Sequence, residues 1–177
     1  MKQSTIILFL FLLILSSSQA QRGWRSFDQF GWIIQIYQSA DDSLWVIGVD
    51  GTWQLDDQGW QQIDQVSAFV FEDSAGTLWF AGPNSEGLWR YNSDGWYQET
   101  QVNGIVNSIY QEPNGTLWVG GLDVVWRYDQ NGWQPLTGFA GLVWQIHRDL
   151  DGTLWLGTEN TDIPWWVPIK PTEADGP

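Results

Sequence analysis

Tryptophan recurs along this chain at a nearly fixed interval, and that interval constrains the fold more than any other feature. Gly-Trp pairs set Trp24, Trp60, Trp96 and Trp133 apart by 36, 36 and 37 residues. Leu-Trp pairs set Trp45, Trp79, Trp118 and Trp155 apart by 34, 39 and 37 residues. A third series, Trp53, Trp89 and Trp126, stands seven residues before its Gly-Trp partner each time. Three series in one register define a repeat of about 37 residues, the signature of a chain whose unit buries its apolar faces only against copies of itself.

Each unit reads as four short strands with no helical period. In the third unit they are NSIYQE from Asn107, TLWVGG from Thr116, VVWRYD from Val124 and GWQPL from Gly132. Asn114-Gly115 and Asn131-Gly132 mark tight turns, where backbone at positive φ is needed. Four antiparallel strands of this length make one propeller blade. Aligned on the Gly of GTLW, one column holds Ile36, Val70, Ile109 and Ile146, and the next holds Tyr37, Phe71, Tyr110 and His147. Neighbouring strand positions face opposite sides of a sheet, so both blade faces are expected to be buried.

The expectation is an all-β propeller of about four four-stranded antiparallel blades. The repeats span approximately 29–64, 65–101, 102–137 and 138–170, with a tail at 171–177. The fourth unit lacks a closing Gly-Trp strand, and an unattached one stands at Gly23-Trp24. Residues 23–27 are therefore expected to latch the last blade and close the ring.

Ahead of the repeats, Lys2, an apolar run from Ile6 to Leu15, and small residues up to Ala20 have the layout of a secretory signal peptide over residues 1–20. The run is too short to span a bilayer, for which about twenty apolar residues are needed. The expectation is a secreted or periplasmic chain starting at Gln21, with no membrane span after cleavage. With no cysteine, stability has to come from packing rather than disulfides. The formal charge of −14 leaves few cations to neutralise phosphates, so nucleic acid is not an expected partner.

Chemistry is sparse. The single histidine, His147, continues a column of flat rings and reads as packing. Asp41-Asp42, Asp56-Asp57, Glu72-Asp73 and Asp149/Asp151 fall at turns, where Asp is favoured because it bonds nearby backbone N–H groups. Neither acid–base catalysis nor a metal or other cofactor is expected; calcium at DLDG would need more oxygen ligands than that stretch offers. Trp32, Trp144 and His147 break the repeat, and departures from a repeat often mark added function. A ligand site is expected among Trp32, Tyr37, Trp144 and His147. Arg90 and Arg127 of the two Trp-Arg-Tyr strands are further candidates, with a structural alternative as partners of Asp94 and Asp129.

IVNSIYQEPNGTLWVGG…VVWRYDQNGW and VFEDSAGTLWFAG…GLWRYNSDGW resemble the two-component regulator propeller repeat of periplasmic sensor regions. That resemblance implies a propeller with a sensing role, in a family whose rings usually have seven blades. DSAGTLW at Asp73 and DLDGTLW at Asp149 also resemble the Asp-box turn of secreted glycan-acting propellers. GTLWFAG resembles repeats of streptogramin-lyase-like propellers, which are enzymes, but no His beside a metal-supporting acid accompanies it. The expected function is a non-catalytic binding or sensor-type module for a small ligand, glycan or protein. The alternatives are an incomplete propeller that assembles into a larger ring, as a homo-oligomer, and a glycan-active or lyase-type enzyme.

Overall fold

The computed structural model describes residues 30–63, 69–82, 87–138, 140–159 and 166–169. The expected signal peptide, latch strand and tail lie outside them. All regular structure described is strand, in four antiparallel sheets whose strands follow one another in sequence order. Blade 1 comprises β1 (Ile33–Gln38), β2 (Leu44–Gly48), β3 (Gly51–Asp56) and β4 (Gly59–Ile63). Blade 2 comprises β5 (Phe69–Glu72), β6 (Leu78–Ala81), β7 (Leu88–Asn92) and β8 (Gly95–Glu99). Blade 3 comprises β9 (Val106–Gln111), β10 (Leu117–Gly121), β11 (Val125–Asp129) and β12 (Gly132–Leu136). Blade 4 comprises β13 (Leu142–Arg148), β14 (Leu154–Glu159) and β15 (Trp166–Ile169), three strands among the described residues.

The first strands of neighbouring blades lie against one another, β1 on β5 and β9 on β13, which sets them innermost. Three hydrophobic clusters join the blades, blade 1 to 2 around Trp45, Val70 and Phe80, 2 to 3 around Trp79, Leu117 and Val119, and 3 to 4 around Trp118, Ile146 and Leu156. The second-strand Trp provides the knob. Trp45 meets Tyr91 and Trp96 of blade 2 at centroid distances of 5.4 and 6.1 Å. Trp79 meets Tyr128 and Trp133 of blade 3 at 6.1 and 6.0 Å. These edge-to-face contacts suit aromatic quadrupoles and add to the burial of large rings.

The ends of the array depart from the expected two-sided burial. Val70 and Ile146 are buried, but Ile36 in the same column is 60% exposed and His147 of the ring column is exposed. Ile36 faces the side where a preceding blade would stand, and His147 the side where a following one would. Among the described residues, none of the four hydrophobic clusters joins blade 4 to blade 1. Phe30 instead covers part of the outer face of blade 1, edge-on to Trp53 and Trp60 at 5.2 and 4.8 Å.

One turn recurs between the first and second strands. Asp73 accepts from the amides of Ala75 and Thr77 through Oδ1, and from Trp79 Nε1 through Oδ2 at 2.8 Å. Asp149 does the same for Asp151, Thr153 and Trp155, and Glu112 accepts from Trp118 Nε1 at 2.7 Å. A carboxylate six residues before the Trp thus fixes both turn and ring. The fourth turn residue adopts positive φ and is glycine at 76, 115 and 152.

Blade 1 has lost both devices. Ser39 stands where the acid should be, leaving the indole N–H of the fully buried Trp45 without a hydrogen-bond partner, and Asp42 holds φ at 68° in place of glycine. An unpaired buried donor and a left-handed non-glycine residue each cost about 1–2 kcal/mol. The triple substitution Ser39→Asp, Asp41→Ala, Asp42→Gly, which rewrites this turn on the pattern of Asp73–Thr77, is expected to raise stability by about 1–3 kcal/mol in urea unfolding.

Candidate binding face

Strand alternation gives each blade two dissimilar ends. One carries the recurrent turns and a concentration of acids, including Asp41, Asp42, Asp73, Asp94, Glu112, Asp129, Asp149 and Asp151. The other carries the starts of the first strands and the connections between second and third strands. It exposes Trp32, Ile33, Ile34, Val49, Leu122 and Trp144.

A backbone irregularity builds the apolar end. In β1 the pairing passes from Ile33 to Gln35 and skips Ile34; in β13 it passes from Val143 to Gln145 and skips Trp144. In β9 it passes from Val106 to Ser108 and skips Asn107. An extra residue of this kind re-aims its side chain out of the ladder. Three blades therefore present Ile34, Asn107 and Trp144 from the same position of their innermost strands. Trp32, 82% exposed, precedes β1 at this end, and Trp144 is 55% exposed with its indole N–H donating to Glu159 Oε2 at 3.1 Å. Aromatic faces, an aliphatic side chain, an amide and a carboxylate on one inner rim can stack on an apolar ligand face while bonding its hydroxyl or amide groups.

The other candidate residues lie elsewhere. Tyr37 is half-buried between blades 1 and 2, where its hydroxyl donates to Glu72 Oε2 at 2.7 Å. Burial first, then that carboxylate, push its pKa up to about 12. His147 is exposed near the acidic end of β13, opposite Trp155 in the ladder and away from Trp144. Arg127 pairs with Asp129 at 3.1 Å, the structural alternative for that residue. Arg90 pairs with Glu99 at 2.8 Å rather than with Asp94, a correction with a simple cause. Arg90 lies directly opposite Tyr97, so Glu99 two residues on shares its face of the sheet, while Asp94 is in the hairpin turn. The Arg90 guanidinium also lies 4.9 Å from the Tyr97 ring centroid.

The acids at the recurrent turns are engaged by their own backbones and indoles. The Trp155 indole foremost, helped by the amides of Thr153 and Asp151, holds the Asp149 carboxyl below its ordinary 3.8. The Ser39 hydroxyl does most of the same for Asp41. Depressed folded-state values mean that these groups contribute stability above their ordinary pKa and lose it as pH falls through the depressed one. Thermal midpoints are therefore expected to hold near neutrality and fall steeply below about pH 4, with the acid-limb slope reduced in Asp149→Asn. Among the described residues no group of three or more His, Cys, Asp or Glu is placed to hold a metal ion. Open depressions of about 410 and 500 Å³ lie over the acidic turns, the first between Asp41, Glu72 and Tyr91, the second between Asn114, Arg127 and Asp129.

Blades of consecutive antiparallel strands, stacked face to face with their first strands innermost, make this chain a β-propeller protein. Residues 100–123 match the family model for the two component regulator propeller, in line with the resemblance carried by the repeats. No curated protein matches the chain. Among solved structures it is similar to the extracellular domain of a protein assigned to a hybrid two component system of B. thetaiotaomicron, with TM-score 0.59 and 15% identity over 76% of this chain and 22% of that one. A second extracellular domain, assigned to a one component system of the same organism, gives TM-score 0.58 and 19% identity over 77% and 22%. Virginiamycin B lyase from Staphylococcus aureus gives TM-score 0.53 and 16% identity over 78% and 55%. The chain thus spans about a fifth of the length of the two extracellular domains and about half that of the lyase. At these identities the likeness is one of fold. Among the described residues no helix is long and apolar enough to cross a membrane.

Proposed function

We propose that this chain is a non-catalytic, sensor-type propeller module of the cell exterior or periplasm, which binds a small ligand, glycan or protein at the end bearing Trp32, Ile34 and Trp144. The supporting observation is that two tryptophans standing outside the repeat are both largely exposed at the same end of the sheets, next to bulges that turn side chains out of the innermost strands. The likeness to extracellular domains of signalling proteins supports the same reading. His147 and the two arginines stand outside this site: the first is near the opposite end, and the others are held in ion pairs.

Intrinsic fluorescence is the direct test, titrating oligosaccharides and short peptides into the protein. A saturable change with no product formed, weakened about tenfold or more by Trp144→Ala or Trp32→Ala, is expected; stacking on an aromatic ring contributes about 1–2 kcal/mol. Turnover of any ligand, or binding that survives both substitutions and disappears with His147→Ala, would refute the proposal.

A further inference from the structure

Two of the chain's own guanidinium groups are held in the same way. Arg90 lies 4.9 Å from the Tyr97 ring centroid and pairs with Glu99 at 2.8 Å. Arg127 lies 5.9 Å from the Trp118 ring centroid and pairs with Asp129 at 3.1 Å. In both clamps an aromatic face takes the flat cation and a carboxylate takes its N–H groups. A guanidinium suits that arrangement better than an ammonium, being planar, weakly hydrated and forked.

The end bearing Trp32 and Trp144 has the ring and the carboxylate of such a clamp twice. Trp144, 55% exposed, donates its indole N–H to Glu159 Oε2 at 3.1 Å, which sets ring and acid side by side. The carbonyl of Trp32, 82% exposed, accepts from the amide of Val49 at 2.9 Å, and the Asp50 carboxylate of the same turn lies against Gly31, the residue before Trp32. Asp50, Asp123 and Glu159 place an exposed acid at this end of blades 1, 3 and 4. The cation is not supplied from within: the described arginines, Arg90, Arg127 and Arg148, are each paired with an acid, and no lysine is described. Exposure here is a property of the rim and not of the outer blades alone. Asn107, at the bulge position of a blade flanked on both sides, is itself partly exposed.

On the reading of this end as the binding face, we infer that its ligand is an arginine-bearing peptide segment of a partner protein, with one guanidinium stacked on Trp144 against Glu159 and another on Trp32 beside Asp50. A sugar is met by a mixture of donors and acceptors. Beside both rings here stands a carboxylate, and one indole N–H is already given to it. The two clamps stand on different blades and are open, so they suit side chains arriving on one extended chain better than a free molecule, which is bound by enclosure. The formal charge of −14 adds a long-range attraction for such a partner.

The test is calorimetric titration of the full chain with a flexible peptide carrying two arginines, beside the same peptide with citrulline at both positions, a peptide with glutamate there, free arginine and a neutral oligosaccharide. Citrulline keeps the shape and removes the charge. The arginine peptide is expected to bind at least tenfold more tightly than each of the others. Glu159→Gln, which still accepts from the Trp144 indole, and Asp50→Asn are each expected to weaken it about three- to fivefold, and together about tenfold or more. The double variant Asp94→Asn, Asp151→Asn removes the same charge from the opposite end and should leave binding within twofold. Citrulline peptide, glutamate peptide, free arginine or oligosaccharide binding as tightly, with loss in Trp144→Ala, would overturn the inference and leave the binding face standing. Arginine-peptide binding indifferent to Glu159→Gln and Asp50→Asn, or equally weakened from the opposite end, would reduce it to bulk charge and overturn the inference. Binding of none of these probes would overturn both.

Discussion

Trp79→Ala is expected to cost about 3–5 kcal/mol, as large aromatic deletions in well-packed cores do, and to unfold blades 2 and 3 together. Trp79 is 3% exposed, sits edge-on to Tyr128 and Trp133 of the neighbouring blade, and donates its indole N–H to Asp73. Removing it empties the notch and leaves one Asp73 oxygen without its donor. Trp79→Phe separates the two effects, keeping most of the ring and losing only the hydrogen bond, worth about 1–2 kcal/mol for a charged acceptor. Urea unfolding followed by circular dichroism measures both. A cost for Trp79→Ala no greater than for Trp79→Phe would show that the ring does not join the blades.

The second large effect is at Gly120. A Cβ there would lie 2.3 Å from Ser108 Oγ, 2.6 Å from Val143 Cγ1 and 2.9 Å from Val143 Cβ, too close for the blade 3 to blade 4 junction to stay shut. Gly120→Ala is expected to destabilise by about 1–3 kcal/mol, the cost of overpacking a filled core, and Gly120→Val by more. The damage should be local. Amides of β13 and β14 should exchange faster with solvent while those of blades 1 and 2 keep their protection. Val143→Ala in the Gly120→Ala background should recover part of the loss, a coupling expected only of residues in contact. Equal loss of protection in every blade would exclude a local clash.

The repeat made the architecture legible because its markers are large, rare residues whose spacing survives divergence. By spacing alone, the three tryptophan series mark the second, third and fourth strands of the blades. Less visible was the acid six residues before the second-strand Trp. Asp73, Glu112 and Asp149 keep that spacing, but Asp and Glu are so common at turns that the bond to the ring did not announce itself. Why the column two residues after the second-strand Trp runs Ile47, Ala81, Gly120 could not be read at all, because the room left for a side chain there is set by how closely the next blade approaches. The candidate site divided likewise. Trp32 and Trp144 could be singled out as irregular, but the bulges that turn the inner rim outward depend on strand register, and register placed His147 apart from them. Glu99 as the partner of Arg90 depended on the face it shares across a hairpin, where nearness in sequence favoured Asp94.

Each of the three junctions joins a blade only to the next, through the second-strand indole and a side chain at the end of the next blade's first strand that reaches back to the preceding turn, Glu72, Gln111 or Arg148. Such an array is stabilised by nearest-neighbour terms, which bears on how these chains change over generations. A duplication inserting one more unit of about 37 residues would meet, on either side, surfaces its neighbours already possess, so blade number can rise or fall by whole units without any position being re-optimised. Single substitutions in the shared column are less free, since Gly120 shows how one junction can close in until only glycine fits. Drift thus locks blades to particular neighbours, while gene duplication acts on the array as a set of interchangeable parts.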